Sequence, residues 1–290
     1  MRVLVLGSTG MLGSAVCRAF SAGPGFSVFA AARTLDRMVA LKRLESARFV
    51  VGVSVEDLSS VETAMKEAKP DLVINCIGVI KQLAAAADPV ASIYINSLFP
   101  HQLHRICRAH EARLIHVSTD CVFTGKKGSY LESDFPDADD LYGRSKLLGE
   151  IVGEGAITLR TSIIGEEINN GSNGLVGWFL SQTGDVKGFR KAIFSGFPTV
   201  SLARIIRDYI VPRPDMNGLY HVSAEPIDKY SLLQLVKAAY ERDTLIAPDD
   251  RLEIDRSLNS DRFREKTGFV TPDWPALVDE MRSASSFWNQ

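Results

Sequence analysis

The stretch RVLVLGSTGMLGSAVCRAF, residues 2–20, decides how the fold is read. An apolar run, RVLVLG at 2–7, ends in a glycine-punctuated turn, GSTGMLG at 7–13. A helix-period segment, MLGSAVCRAF at 11–20, follows at once. A lone glycine triplet is a weak signal, but between a strand and a helix it has a mechanism. Glycine permits the tight turn and a close backbone approach. The helix N-terminus then presents free N–H groups and the positive end of its dipole to a pyrophosphate. Gly7, Gly10 and Gly13 are spaced G-x-x-G-x-x-G rather than G-x-G-x-x-G. The stretch predicts a dinucleotide site; the rival reading is a turn whose glycines serve packing alone.

Outward from it the same rhythm repeats. Strands are predicted at 26–33, 48–53, 71–78, 113–118 and 156–162, with helices at 35–45, about 59–68, 88–110 and 142–153. The strands are rich in Val, Ile and Leu without polar alternation, as expected when helices cover both faces. Strand–helix alternation implies right-handed parallel crossovers and a Rossmann-type doubly wound parallel sheet, an α/β fold. Past residue 163 the rhythm breaks in GEEINNGSNG (165–174) and SGFPT (195–199). The division expected is a dinucleotide-binding domain at 1–162 and a smaller, intimately packed α+β substrate lobe at 163–290, with room for a segment of the lobe to return to the first domain.

The 290 residues are 46 % hydrophobic and 23 % charged, enough for a large core without disulfides or metal. A net charge of −2 gives no electrostatic case for nucleic acid or an anionic membrane as partner. Cys17, Cys76, Cys107 and Cys121 form no C-x-x-C pair and read as reduced thiols. The opening strand is neither a signal peptide nor long enough to span a bilayer, so a cytoplasmic protein is expected.

The type of dinucleotide is read after the second strand, where an acid about 20 residues past the glycines would hold the ribose hydroxyls. VFAAARTLDR, at 28–37, has no carboxylate at the strand end. Arg33 follows it instead, with Arg37 one turn on, and Asp36 is late for the ribose role. An arginine suits a 2′-phosphate, so NADP(H) is preferred and NAD(H) stays open; the bland alternative is a pair of surface arginines.

The chemistry is read from two further stretches, STDCVFTG (118–125) and DDLYGRSKLLGE (139–150). Ser118, Thr119 and Asp120 fall at the carboxyl end of a central strand, where open α/β sheets bind ligands. Tyr142 and Lys146 share one helix face. Hydride transfer to a carbonyl builds negative charge on oxygen, which calls for a proton donor. A tyrosine is acidic only near pKa ~10, and a neighbouring ammonium lowers that value. Thr119 would hold the carbonyl oxygen by a hydrogen bond, and Lys146 would also hold the nicotinamide ribose. Singly, each residue has a bland reading as a helix-start aromatic, a loop hydroxyl or a solvated charge.

Together these stretches resemble the extended short-chain dehydrogenase/reductases over nearly the whole chain. GSTGMLG, DLVINCIG, INSLFP, STDCVFTG, LYGRSKLLGE and LRTSIIG occur in that family's order. PTVSLARII, GLYHVSAEPIDKYSLLQLV and the terminal LNSDRF and PDW resemble the dTDP-4-dehydrorhamnose reductase branch. The resemblance implies Thr119, Tyr142 and Lys146 as catalytic residues. It implies Gly7, Ser8, Thr9, Gly10, Met11, Leu12 and Gly13 at the pyrophosphate, and Asn75, Cys76, Ile77 and Gly78 along the ribose and nicotinamide. Arg160, Thr161 and Ser162 would lie near the nicotinamide, and the substrate side would draw on Thr119, Asp120, Ser162 and Arg256. The chain also departs from the pattern. Val53 and Ser54 stand where an acid often lies near adenine, leaving adenine to Ser54 and the backbone. Ile163 stands where the branch often carries an aromatic, and DRSLNS at 255–260 differs as well.

The expected activity is an NADP(H)-preferring reductase of a 4-keto nucleotide sugar, in a protein for which a homodimer is allowed. One alternative is a nucleotide-sugar epimerase or dehydratase on the same scaffold; dehydratases usually carry an acid pair where Asp120 is here followed by Cys121. Another is a cofactor-binding regulatory subunit without turnover, like the one that pairs with methionine adenosyltransferase. No metal is expected. His101 and His104 are helical neighbours lacking a third ligand, His116 reads as a satisfied core histidine, and ESDFPDADD (132–140) lacks calcium-loop spacing. Trp178 and Phe179 read as core before they read as a base-stacking platform.

Overall fold

A computed structural model describes the chain except residues 35, 37–39, 80–87, 167–173 and 290. Seven strands build the main sheet: β1 (Arg2–Leu6), β2 (Ser27–Ala32), β3 (Arg48–Val51), β4 (Leu72–Asn75), β5 (Arg113–Val117), β6 (Ala156–Arg160) and β11 (Gly218–His221). Their order is β11-β6-β5-β4-β1-β2-β3, and every pairing is parallel. The order reverses between β1 and β4, so the crevice for a ligand opens at the carboxyl ends of those two strands.

The continuous apolar runs have a direct cause. Val3, Val5, Val28, Ala30 and Ile74 point to one face, where they pack with the inward sides of α1 (Met11–Ser21), α7 (Thr199–Ile205) and α10 (Trp274–Asn289). Leu4, Leu6, Phe29, Ala31 and Val73 point to the other, against α2 (Leu58–Ala68) and α4 (Phe99–Ala109). Alternate residues of a strand face opposite sides, and both sides are covered, so most positions are apolar.

Several elements differ from the sequence reading: the helix expected at 142–153 ends at Leu148 and the strand expected at 71–78 at Asn75. The helix expected at 35–45 is, in its described part, a 3-10 turn at Ala40–Arg43, and Arg37 lies outside the described residues. The helix expected at 88–110 is broken into α3 (Pro89–Ser92), a wide π turn (Ile93–Leu98) and α4. Pro100 has no N–H to offer the Asn96 carbonyl one turn back, and the turn widens there. The strand expected at 156–162 stops at Arg160, and Ile163–Ile164 (β7) pairs instead with Phe197–Pro198 (β10).

The second half of the chain is not set apart. β11 continues the sheet beside β6, and α7 lies on α1. Arg113 of β5 donates to the carbonyls of Ile210 and Met216, at 3.0 and 2.9 Å. The smaller strands β8 (Val186–Phe189), β9 (Ala192–Phe194), β12 (Ile227–Asp228), β13 (Ile246–Asp249) and β14 (Ile254–Asp255), with α6 (Leu175–Leu180), α8 (Lys229–Ala239) and α9 (Asp261–Thr267), complete this half. Among the described residues no helix is long and apolar enough to cross a membrane.

Candidate active site

The glycine turn is built by close approach. Gly7 has φ +75°, and a Cβ on it would lie 3.0 Å from the Cys76 carbonyl carbon. A Cβ on Gly13 would stand 2.1 Å from the Gly7 oxygen. The turn after β1 is thus pressed against the segment after β4 on one side and the first turn of α1 on the other. Gly10 donates to the Gly7 carbonyl at 3.0 Å and caps α1 with no side-chain hydrogen bond. The first N–H groups of a helix have no intrahelical partner. A cradle that admits no Cβ, at a helix start without a capping side chain, fits a dinucleotide pyrophosphate. Thr9, Met11 and Leu12 complete this turn. Ser8 belongs to it through its backbone alone: its side chain is buried, and its hydroxyl donates to the Ala31 carbonyl at 2.8 Å.

Arg33 is exposed just past the end of β2, and no hydrogen bond or ion pair engages its guanidinium among the described residues. Ser54 follows β3, but its hydroxyl donates to Glu56 Oε2 at 3.1 Å and its N–H to Ser60 Oγ at 3.0 Å. What Ser54 leaves for a ligand in this arrangement is the acceptor side of its hydroxyl oxygen, since its carbonyl already receives the Ser60 hydroxyl and the Asp57 N–H.

Past β4, Asn75 shapes the segment that carries Cys76, Ile77 and Gly78. Its Oδ1 accepts from the Ile77 N–H at 3.1 Å, and its amide nitrogen meets His116 Nδ1 at 3.1 Å. The Asn75 NH₂ must donate there, so the His116 proton sits on Nε2. Among the described residues that nitrogen is buried with no partner, so His116 is a core histidine only half satisfied. Burial holds the His116 ring well below its ordinary pKa.

The expected catalytic residues come together at the end of β5. Thr119 caps a 3-10 turn at Asp120–Val122, its hydroxyl oxygen accepting from the Cys121 N–H at 3.1 Å. Asp140 caps α5 (Leu141–Leu148), accepting from the Gly143 N–H at 2.7 Å. A Cβ on Gly143 would lie 2.2 Å from the Cys121 oxygen. The start of α5 is therefore seated on the Cys121 turn, which brings the Tyr142 phenol to the Thr119 hydroxyl. Lys146, one turn on, is 5 % exposed and donates to the Val117 carbonyl at 2.8 Å. Its ammonium borders Gly78: a Cβ there would be 3.8 Å from Nζ.

The electrostatics differ from the simple pairing of phenol and ammonium. Burial pushes the Tyr142 phenol above its ordinary value, with Cys121, Asp120 and Asp140 acting the same way and Thr119 opposing. The downward pull expected from Lys146 does not govern; desolvation of a phenolate outweighs it. Burial lowers Lys146 to about 8, with Glu150 and Cys76 pulling it back up. Burial raises Asp120, against hydrogen bonds and charge from Cys121, Arg256, Thr119 and Ser162.

The substrate-side residues expected from the sequence converge on Asp120. Ser162 reaches its carboxyl, and Arg256 faces it while donating from Nε to the Phe123 carbonyl at 2.7 Å. Three neighbours went unnoticed in the sequence. Lys229, first residue of α8, also faces Asp120 and Arg256, and nothing in its local sequence marks it. Asn96, inside the π turn, receives the Val79 N–H at 2.9 Å and donates to Ser145 Oγ at 3.1 Å. Glu150 stands four residues after Lys146, a spacing that does mark it.

A cavity of about 310 Å³ lies between α1, α7 and α10, away from Tyr142. Its arginines are engaged: Arg18 with the Ala284 carbonyl, Arg204 with Glu280, and Arg207 with Asp208. Among the described residues no group of three or more His, Cys, Asp or Glu is placed to hold a metal ion.

Comparison with known proteins places this arrangement. A family model described as the RmlD substrate binding domain matches residues 1–281. Methionine adenosyltransferase 2 subunit beta of Xenopus laevis is 26 % identical over 258 residues, covering 80 % of this chain and 70 % of that protein. A dTDP-4-dehydrorhamnose reductase of Burkholderia thailandensis is 31 % identical over 170 residues, covering 56 % of this chain and 50 % of that one. The crystal structure of a dTDP-4-dehydrorhamnose reductase from Bacillus anthracis, in complex with NADP, shares the fold with a TM-score of 0.75 at 18 % identity, covering 98 % of each chain.

Proposed function

The chain belongs to the RmlD substrate binding domain family, and from that premise we propose that it is a reductase of a 4-keto nucleotide sugar using NADP(H). The observation that carries this reading is the convergence of Thr119, Tyr142 and Lys146 at the carboxyl end of β5, beside the crevice between β1 and β4. When bound, the dinucleotide supplies the hydride. Gly7 to Gly13 cradle its pyrophosphate, Arg33 meets the 2′-phosphate, and Cys76, Ile77, Gly78 and Lys146 border the ribose and nicotinamide. Thr119 holds the carbonyl oxygen by a hydrogen bond as charge develops on it. Tyr142 gives that oxygen its proton. A phenol held above its ordinary pKa stays protonated at working pH, which suits delivery of a proton rather than its abstraction. Asp120, Ser162 and Arg256 face the sugar nucleotide. In this reading residues 1–162 hold the cofactor and 163–290 supply substrate specificity. An allied dehydratase activity has less support, because the residue after Asp120 is a thiol that burial keeps neutral, at about 12.

A second reading rests on the similarity to methionine adenosyltransferase 2 subunit beta: a regulatory subunit that binds the dinucleotide without turnover. One assay separates the two. Oxidation of NADPH is followed with dTDP-4-keto-6-deoxy sugars for the unmodified chain and Tyr142→Phe. The reductase reading expects turnover that falls about 10²- to 10⁴-fold in the variant, while NADPH affinity stays within about threefold. Binding of NADPH without turnover by the unmodified chain supports the regulatory reading, and near-normal turnover in Tyr142→Phe removes the proton-donor role.

A further inference from the structure

Behind the reacting edge runs a buried chain of polar groups that the proposed reaction leaves unused. Glu150 Oε1 accepts from Ser118 Oγ at 2.7 Å and from Arg160 Nε at 2.8 Å, and Oε2 accepts from Arg160 Nη2 at 2.8 Å. The two charged side chains are only 3 % and 6 % exposed. Arg160 Nη1 lies 3.3 Å from His221 Nε2, and His221 Nδ1 lies 3.0 Å from the Tyr130 carbonyl. A carbonyl can only accept, so Nδ1 carries the proton and Nε2 accepts from Arg160. Burial and the Arg160 charge hold His221 at about 3, so this tautomer persists at any working pH. The chain thus runs from Ser118, next to Thr119, through Glu150, Arg160 and His221 to the loop before α5.

A buried ion pair is poor evidence of stability, because desolvation offsets most of its attraction. Its position is more telling. Three titratable groups face Lys146 among the described residues: Glu150 just past the end of its own helix, Cys76 after β4 and His116 on β5. Burial keeps the Cys76 thiol neutral, at about 12, and His116 and Tyr142 are uncharged as well. Glu150, one helical turn after Lys146 and paired with Arg160, is left as the one full negative charge acting on the ammonium among these groups.

We propose that Glu150 is a positioning residue, its carboxylate fixing Ser118 beside Thr119 and holding Lys146 as an ammonium. The inference rests on the reading that Lys146 grips a nicotinamide dinucleotide. It is tested by NADPH affinity, read from nicotinamide fluorescence between pH 6 and 9.5, in the unmodified chain, in Glu150→Gln and in the double variant Glu150→Gln/Arg160→Gln. The double variant removes the pair together, so no lone charge is left buried if the single change fails to fold. Affinity in the unmodified chain falls as pH rises through about 8, where Lys146 loses its proton. Loss of the carboxylate disfavours the ammonium, so the midpoint moves down by about one unit in Glu150→Gln and by less in the double variant, with affinity at pH 6 within about threefold. An unmoved midpoint in a folded variant overturns the proposal, as does a uniform loss of affinity at every pH, the mark of a merely structural role. If the unmodified chain binds no NADPH, the dinucleotide reading fails first and the inference falls with it.

Discussion

Lys146 sits in a setting that opposes folding. A charged amine is held 5 % exposed with its pKa lowered from 10.5 to about 8 by burial. Below pH 8 it is protonated in both folded and unfolded chains, and the folded state carries the whole cost of burying the charge. Between pH 8 and 10.5 the folded state sheds the proton first, so the unfolded state binds more protons and stability rises with pH. The lowered pKa corresponds to about 3 kcal/mol, from which the hydrogen bond to Val117 returns about 1 kcal/mol. Lys146→Met is therefore expected to unfold about 2 kcal/mol later than the unmodified chain at pH 7, and the gain is expected to shrink toward pH 10. Chemical denaturation at the two pH values checks it; equal or lower stability at pH 7 would show that no such cost is carried there. The same variant is expected to lose NADPH affinity, since the group that costs stability is the group assigned to the ribose.

At the scale of elements, two helix starts are located by glycines that another backbone touches. α1 is fixed by Gly13 against the Gly7 oxygen, and α5 by Gly143 against the Cys121 oxygen. Gly13→Ala would force a Cβ to within 2.1 Å of a carbonyl oxygen, so the turn must open. The expected result is a loss of about 1–3 kcal/mol of stability and at least tenfold weaker NADPH binding. Gly25, at φ +82° with open space around it, is the control: Gly25→Ala is expected to cost about 1 kcal/mol through backbone strain and to leave binding unchanged. Equal binding by both variants, measured by fluorescence titration, would separate the glycine turn from the dinucleotide. The element positions were largely readable, because strand periodicity and glycine turns are local. The break in the 88–110 helix was less so: Pro100 was visible, but the release of the Asn96 carbonyl matters only because Gly149 packs on it, with no room for a Cβ.

For the whole molecule, the sheet joins what the sequence divides at residue 162. β11 pairs with β6 from Gly218 to His221, α7 lies on α1, and Arg113 bonds across the boundary. Residues 1–162 expressed alone would expose the β6 edge and the apolar face under α7 and α10. That fragment is expected to show no cooperative unfolding, and the full chain is expected to unfold with coincident transitions by circular dichroism and fluorescence. A sigmoidal melt of the fragment would show an autonomous first domain.

By itself the sequence determined the parallel α/β scaffold, the glycine turn and the candidates Thr119, Tyr142 and Lys146. The scaffold and the turn are carried by periodicity and turn chemistry within a few residues, and Tyr142 and Lys146 by their helix spacing; Thr119, 23 residues earlier, is joined to them by its place at a strand end and by the family resemblance. Only the tertiary structure decided which surroundings those residues receive. It turned the Ser8 hydroxyl inward to Ala31 and the Ser54 hydroxyl to Glu56, seated Lys229 beside Asp120, and set the phenol of Tyr142 higher rather than lower on the pH scale. The physical reason is one of range: backbone preference is local, while desolvation and charge depend on groups that folding brings from as far apart as Ser118, Arg160 and His221.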